Sequence, residues 1–245
     1  MRCFVLVTIG CLLPFSISAQ KVVKDSIRFQ DKDRSYYLYV PETLKKDAAA
    51  PLVVLLHGSG RNGISLVDKW KDLASLEGFI IVGPDSSDSR SWRIPQDAPD
   101  FLYDLIESLK TKHKIDGRRV YLFGHSAGAV VGLYLALMES EYFAATAVHA
   151  GALRPTDGPI IEGAKRKIPI SIFIGTNDAF FPLPDVRETH NALKTRGFDA
   201  QLNEIKGHTH NYYERSGEIN KNVWTFLNVH RLPVEPKYER YQFAK

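Results

Sequence analysis

Residues 124–128 read Gly-His-Ser-Ala-Gly, a single serine with a glycine two positions away on each side. The residues before it, Tyr121-Leu122-Phe123, are apolar, and residues 129–139 (AVVGLYLALME) read as a strongly apolar helix. A sharp strand-to-helix bend leaves no room for flanking side chains. Glycine at both positions lets the Ser126 hydroxyl stand above a sheet, near a helix N-terminus. A hydroxyl held there can act as an acyl-transfer nucleophile, provided a base takes its proton and a third group fixes the base. The competing reading, a turn that happens to contain serine, is disfavoured by the strand and helix on either side.

In this arrangement the acid and the base follow the serine in chain order, on loops after later strands. The apolar run 168–175 (IPISIFIG) leads into Thr176-Asn177-Asp178, which puts Asp178 at a strand end as the orienting acid. Asp185 is the alternative, although it reads as the start of the next helix. Two histidines offer the base. His208 directly follows Gly207, and His210 precedes Asn211-Tyr212-Tyr213. His210 is preferred and His208 stays open. His57, His125 and His149 also fall at strand ends but come too early in the chain, and His125 reads as a packing neighbour of the bend. Leu56-His57-Gly58-Ser59-Gly60 offers backbone N–H donors for a developing oxyanion, Ser59 first and Gly60 as its alternative, with Ala127 N–H as the second donor. Trp92, Phe180 and Tyr212, with Phe181 and Tyr213, are candidate walls for a substrate. No metal site is expected, because His208-x-His210 alone is too sparse.

Alternating elements must carry these groups. Segments 26–30 and 36–40 predict an antiparallel opening pair, and 51–57 (PLVVLLH) a strand covered on both faces. Ser65-Leu66-Val67-Asp68 resembles a capping box for a helix that ends at Gly78. Strands are expected at 79–85, 119–124, 144–151, 168–175 and 198–205, with a turn at Asp116-Gly117. Helices are expected at 101–113, 129–139, 184–196 and 218–229. This order predicts an α/β fold, a mostly parallel central sheet with helices on both faces. The segment 151–168 is too short for a large lid. A single catalytic domain is expected over 20–230, with 231–245 as a surface tail.

The chain has 245 residues, 44% of them hydrophobic, and a formal charge of +4 with no long basic run, which argues against nucleic-acid binding. Residues 1–19 read as a signal peptide: Arg2, an apolar core over 3–15, and small residues before Gln20. The expected location is secreted or periplasmic, without stable membrane insertion. Both cysteines, Cys3 and Cys11, lie in the segment to be removed, so the mature chain is expected to have neither disulfide nor thiol nucleophile. Export also implies chemistry without a recycled cofactor, and none is expected.

Taken together, residues 25–230 resemble the α/β-hydrolase fold, whose serine bend, HG loop, acid and histidine appear in this order. Within it, PLVVLLHG, RVYLFGHSAGA and the absence of an inserted cap resemble the secreted esterases grouped with polyhydroxybutyrate depolymerases and feruloyl esterases. HNYY at 210–213 is similar to the DHSYY catalytic-histidine segment of S-formylglutathione hydrolase-type esterases, which favours His210. Ser59 stands where the depolymerase-type loop often has cysteine. The resemblance implies a serine carboxylesterase working through Ser126, His210 and Asp178. Its substrates would be acyl or feruloyl esters of plant polysaccharide, or a polyester. A serine peptidase of the same fold and a binding protein that has lost the chemistry are the alternatives.

Overall fold

Every residue of Ala50–Leu56 is buried, as a strand covered on both faces requires. In the computed structural model, which describes residues 21–45 and 47–237, this segment is β3 of an eight-stranded sheet. The other strands are β1 (Val23–Phe29), β2 (Lys32–Tyr39), β4 (Ile80–Pro84), β5 (Ile115–His125), β6 (Ala145–His149), β7 (Ile170–Gly175) and β8 (Ala200–Ile205). Their order across the sheet is β1-β2-β4-β3-β5-β6-β7-β8. β2 runs antiparallel to β1 and β4, and all other neighbours are parallel. The mostly parallel α/β sheet expected from the sequence is the one observed.

Among the described residues six helices cover it: α1 (Ile64–Glu77), α2 (Asp100–Lys112), α3 (Ala127–Met138), α4 (Gly158–Gly163), α5 (Leu183–Thr195) and α6 (Ser216–Leu227). The period of two along β3 decides which helix meets which face. Leu52, Val54 and Leu56 pack with residues of α2, α3, α4 and α5. Val53 and Leu55 pack with α1 and α6, where Trp70 and Trp224 flank Phe79. Burying each such side chain stabilises the fold by about 1.5–3 kcal/mol before chain entropy is counted.

Local details differ from the sequence reading. The capping box at Ser65 does not form. Gly63 occupies the N-cap of α1 without a side-chain cap, and Ser65 Oγ donates back to Asn62 O at 2.6 Å. The helix start is held instead by Asp85, whose Oδ1 accepts Gly63 N–H at 2.8 Å. The predicted turn at Asp116-Gly117 is an irregularity inside β5, where pairing with β3 jumps from Ala50↔Ile115 to Leu52↔Val120. The Asp116 carboxylate accounts for it by binding Arg118 N–H, Arg119 Nε and Arg231. The segment between β6 and β7 carries a 3-10 turn (Pro155–Asp157) and α4, which the sequence reading missed. The tail does not begin as a loose surface segment: Leu232 is buried and exchanges two hydrogen bonds with Arg118. The predicted signal peptide lies outside the described residues.

His57, His125, His149 and His208 are all buried. His125 Nδ1 meets His149 Nδ1 at 3.2 Å, so one nitrogen donates and the other accepts. Burial, with His210 nearby, lowers the His125 pKa to about 3. Burial, with His125 nearby, lowers that of His149 to about 2. Both rings are therefore neutral in the fold at ordinary pH. In the unfolded chain they would take a proton below about 6.5. Their contribution is thus fully present above that value and is lost as pH falls, by up to about 1.4 kcal/mol per pH unit for each group. Glu139 works the other way. Burial raises its pKa from 4.5 to about 7, so stability is lost as pH rises across that interval. Thermal unfolding followed by circular dichroism is expected to show a Tm that drops steeply below pH 6. Replacing His125 and His149 together by asparagine should flatten the drop, and an unchanged slope would contradict this account.

Candidate active site

Ser126 joins β5 to α3 with φ 56° and ψ −118°, a left-handed conformation that a non-glycine residue adopts at a cost of about 1–3 kcal/mol. The surroundings hold it there. Ser126 N–H donates to His149 O on the neighbouring strand at 3.0 Å, and Ser126 O accepts Ala129 and Val130 N–H at 2.8 and 3.1 Å. A Cβ on Gly128 would collide with the carbonyls of Leu56 and His57, and one on Gly124 would collide with the Gly128 carbonyl. The two glycines are thus required by close backbone approach between β3, β5 and the start of α3.

Ser126 Oγ lies 2.9 Å from His210 Nε2, and His210 Nδ1 lies 2.8 Å from Asp178 Oδ2. Asp178 follows β7 and His210 follows β8, on the same sheet edge as Ser126. The two loops are tied together: Asn177 N–H donates to His208 O at 2.9 Å, and Gly207 N–H to Thr176 Oγ1 at 2.8 Å. The Asp178 side chain is fully buried, and its Oδ1 accepts the Phe180 and Phe181 N–H groups. That leaves Oδ2 for the imidazole. With Nδ1–H donated to the carboxylate, Nε2 is the acceptor that faces the serine hydroxyl. The His210 ring rests on His125, with ring centres 5.1 Å apart.

Of the alternatives, His208 is buried beside His149, with ring centres 5.3 Å apart, and does not reach the serine. Its Nε2 has no hydrogen-bond partner among the described residues. Asp185 sits in the first turn of α5.

Ser59 and Ala127 N–H have no protein acceptor among the described residues, whereas Gly60 N–H donates to Ser89 O at 2.8 Å and is thereby occupied. His57, which the sequence reading set aside, organises this loop. Ser86 N–H donates to His57 Nε2 at 3.1 Å, so the proton resides on Nδ1, which donates to Gly58 O at 2.9 Å. In a trans peptide the Gly58 carbonyl and the Ser59 N–H point in opposite directions. Holding the carbonyl toward His57 turns the Ser59 donor the other way. Burial lowers the His57 pKa, which keeps the ring neutral and the tautomer fixed. The HG dipeptide was the only sequence signal for this.

Two of the expected wall residues need correction. Tyr212 is fully buried beneath His125, its hydroxyl donating to Asn220 Oδ1 at 2.6 Å, so it is a core residue. Trp92 is half-buried, with Nε1–H donating to His57 O at 2.8 Å, so it braces the loop from behind. Phe180 does reach the opening, 74% exposed and with its ring 4.7 Å from that of His210. A cavity of about 470 Å³ above Ser126 is bordered by Ser59, Arg61, Phe180, His210 and Tyr213 among others. Among the described residues no group of three or more His, Cys, Asp or Glu could hold a metal ion, and no helix is long and apolar enough to cross a membrane.

Known proteins share parts of this sequence and its fold. The chain is 32% identical over 166 residues to the bifunctional acetylxylan esterase/xylanase of Neocallimastix patriciarum, a match covering 64% of this chain and 23% of that protein. It is 31% identical over 117 residues to the poly(3-hydroxyalkanoate) depolymerase C of Paucimonas lemoignei, covering 42% and 28%. The matches therefore span only about a quarter of these relatives' lengths. Among solved structures, a ferulic acid esterase of Anaeromyces mucronatus superposes with a TM-score of 0.67 at 17% identity, covering 89% of this chain and 93% of that one, which shows the shared fold. The resemblance drawn from the HG loop and the serine bend is thus matched by relatives of the same kinds. Residues 87–225 match the profile of the dienelactone hydrolase family, and the chain belongs to that family.

Proposed function

We propose that the chain is a serine carboxylesterase in which Ser126, His210 and Asp178 form the catalytic triad. The observation that carries this reading is the unbroken hydrogen-bond chain from Ser126 Oγ through His210 to the buried Asp178 carboxylate, at 2.9 and 2.8 Å. Ser126 Oγ attacks the ester carbonyl carbon while His210 Nε2 takes its proton. The carbonyl oxygen becomes an oxyanion received by the N–H groups of Ser59 and Ala127, the latter at the positive end of α3. The imidazolium then protonates the departing alcohol, leaving an acyl-enzyme. Water, deprotonated by His210, releases the acid and restores the serine. His125, whose pKa burial and the His210 charge lower to about 3, stays neutral under the imidazolium and so adds no second positive charge.

The relatives' names support an ester of a plant polysaccharide, acetyl or feruloyl, or a polyester as substrate. The rim of the cavity is open, with Phe180 at its edge. Export through removal of residues 1–19 belongs to the same reading and rests on their sequence.

Hydrolysis of 4-nitrophenyl acetate is the direct test. Ser126→Ala should lower kcat by about 10⁶-fold and Asp178→Asn by about 10⁴-fold, with KM little changed. Near wild-type turnover by the serine variant would refute the assignment, as would a preference for a 4-nitroanilide over the ester. Weakening the brace behind the oxyanion donors is expected to act on kcat. His57→Asn should lose about 10²-fold, and Trp92→Phe less, without loss of the folded circular-dichroism spectrum. Equal kcat in all three proteins would exclude a role for the His57–Gly58 contact.

A further inference from the structure

Among the described residues bordering the cavity above Ser126, Arg61 alone carries a permanent charge, and none of them is a carboxylate residue. Arg61 has no ion-pair partner among the described residues, in contrast to Arg90, Arg93, Arg154, Arg187 and Arg215, each of which holds a carboxylate. An exposed arginine with no more to it than that would be an ordinary solvated surface group. Two contacts distinguish this one. Its guanidinium lies over the Tyr213 ring, 5.0 Å from the centre, and Tyr213 is itself held by its hydroxyl donating to Ser65 Oγ at 3.2 Å. Its backbone N–H donates to Gly58 O at 3.2 Å, the same carbonyl that His57 holds, which anchors the residue beside the Ser59 donor. A guanidinium held over a ring face still has N–H groups free to meet acceptors beyond the ring. That edge is a fork matched to a carboxylate, and binding there is stronger than to a neutral oxygen.

We propose that Arg61, seated on Tyr213, is a specificity-determining residue that selects ester substrates bearing a carboxylate. The inference rests on the esterase reading and narrows it to one substrate class. The carboxylate sits either on the acyl part or on the alcohol part of the ester, and both places are within the scope of one assay.

The test measures kcat/KM at low salt for two matched pairs. Mono-4-nitrophenyl glutarate against 4-nitrophenyl pentanoate places the charge on the acyl side, and 3-carboxyphenyl acetate against 3-carbamoylphenyl acetate places it on the leaving side. Wild type, Arg61→Gln and Arg61→Lys are compared. In one of the pairs the anionic-to-neutral ratio is expected to fall by about 10-fold or more in Arg61→Gln, with Arg61→Lys in between, as loss of one charge-assisted contact implies. Added salt should lower the wild-type ratio. A ratio unchanged by Arg61→Gln in both pairs would overturn the proposal while leaving the esterase reading intact. Absence of turnover on all four esters would overturn the esterase reading, and this proposal with it.

Discussion

The approach of the α3 backbone to the end of β3 is the constraint on which the site depends. Gly128 lies against the Leu56 and His57 carbonyls with no room for a side chain, and Gly124 lies equally close to the Gly128 carbonyl. This brings the first turn of α3 to the rim of the sheet and forces Ser126 into its left-handed conformation. The strain is local, about 1–3 kcal/mol, and the hydrogen bonds on either side of the serine hold it. Once the bend is set, the remaining groups need only arrive at the same edge, and the parallel strands bring them there. The HG loop leaves β3, the acid loop leaves β7, and the histidine loop leaves β8.

Under that edge lies a cluster of imidazole rings. His125 and His149 share a hydrogen bond, His208 packs on His149, and His210 rests on His125. Only His210, one-fifth exposed and bound to the Asp178 carboxylate, has both a partner for its positive form and access to the cavity. The others are kept neutral by burial, so four neighbouring rings divide into one proton carrier and a neutral floor. His57 adds a fifth ring with a different task, since its fixed tautomer orients a peptide plane and no proton moves.

The parts of this that could be read from the sequence are those governed by local sterics and chain order. Gly-His-Ser-Ala-Gly after an apolar strand specifies the bend because only glycine fits on either side. Asp178 follows from its place after an apolar run. The choice between His208 and His210 was open, because two residues of loop reverse which ring faces the site, and that depends on how Asn177 and Gly207 tie the loops together. Tyr212 and Tyr213 show the same limit: adjacent aromatics, one fully buried and one at the cavity, separated by tertiary packing alone. Trp92 was expected to line the cavity and instead supports His57 from behind, because its indole N–H finds a backbone carbonyl. The capping box failed for a related reason: a distant carboxylate, Asp85, satisfied the helix start before Ser65 could.

The central claim is that one strained serine has its hydroxyl activated by His210. Covalent labelling with a fluorophosphonate, followed by peptide mass spectrometry, tests it most directly. The wild-type protein is expected to take up one equivalent on the peptide containing Ser126, at a rate that falls by several orders of magnitude in His210→Ala and stays close to wild type in His208→Ala. Absence of an adduct, an adduct on another residue, or equal labelling of the wild type and His210→Ala would contradict the account.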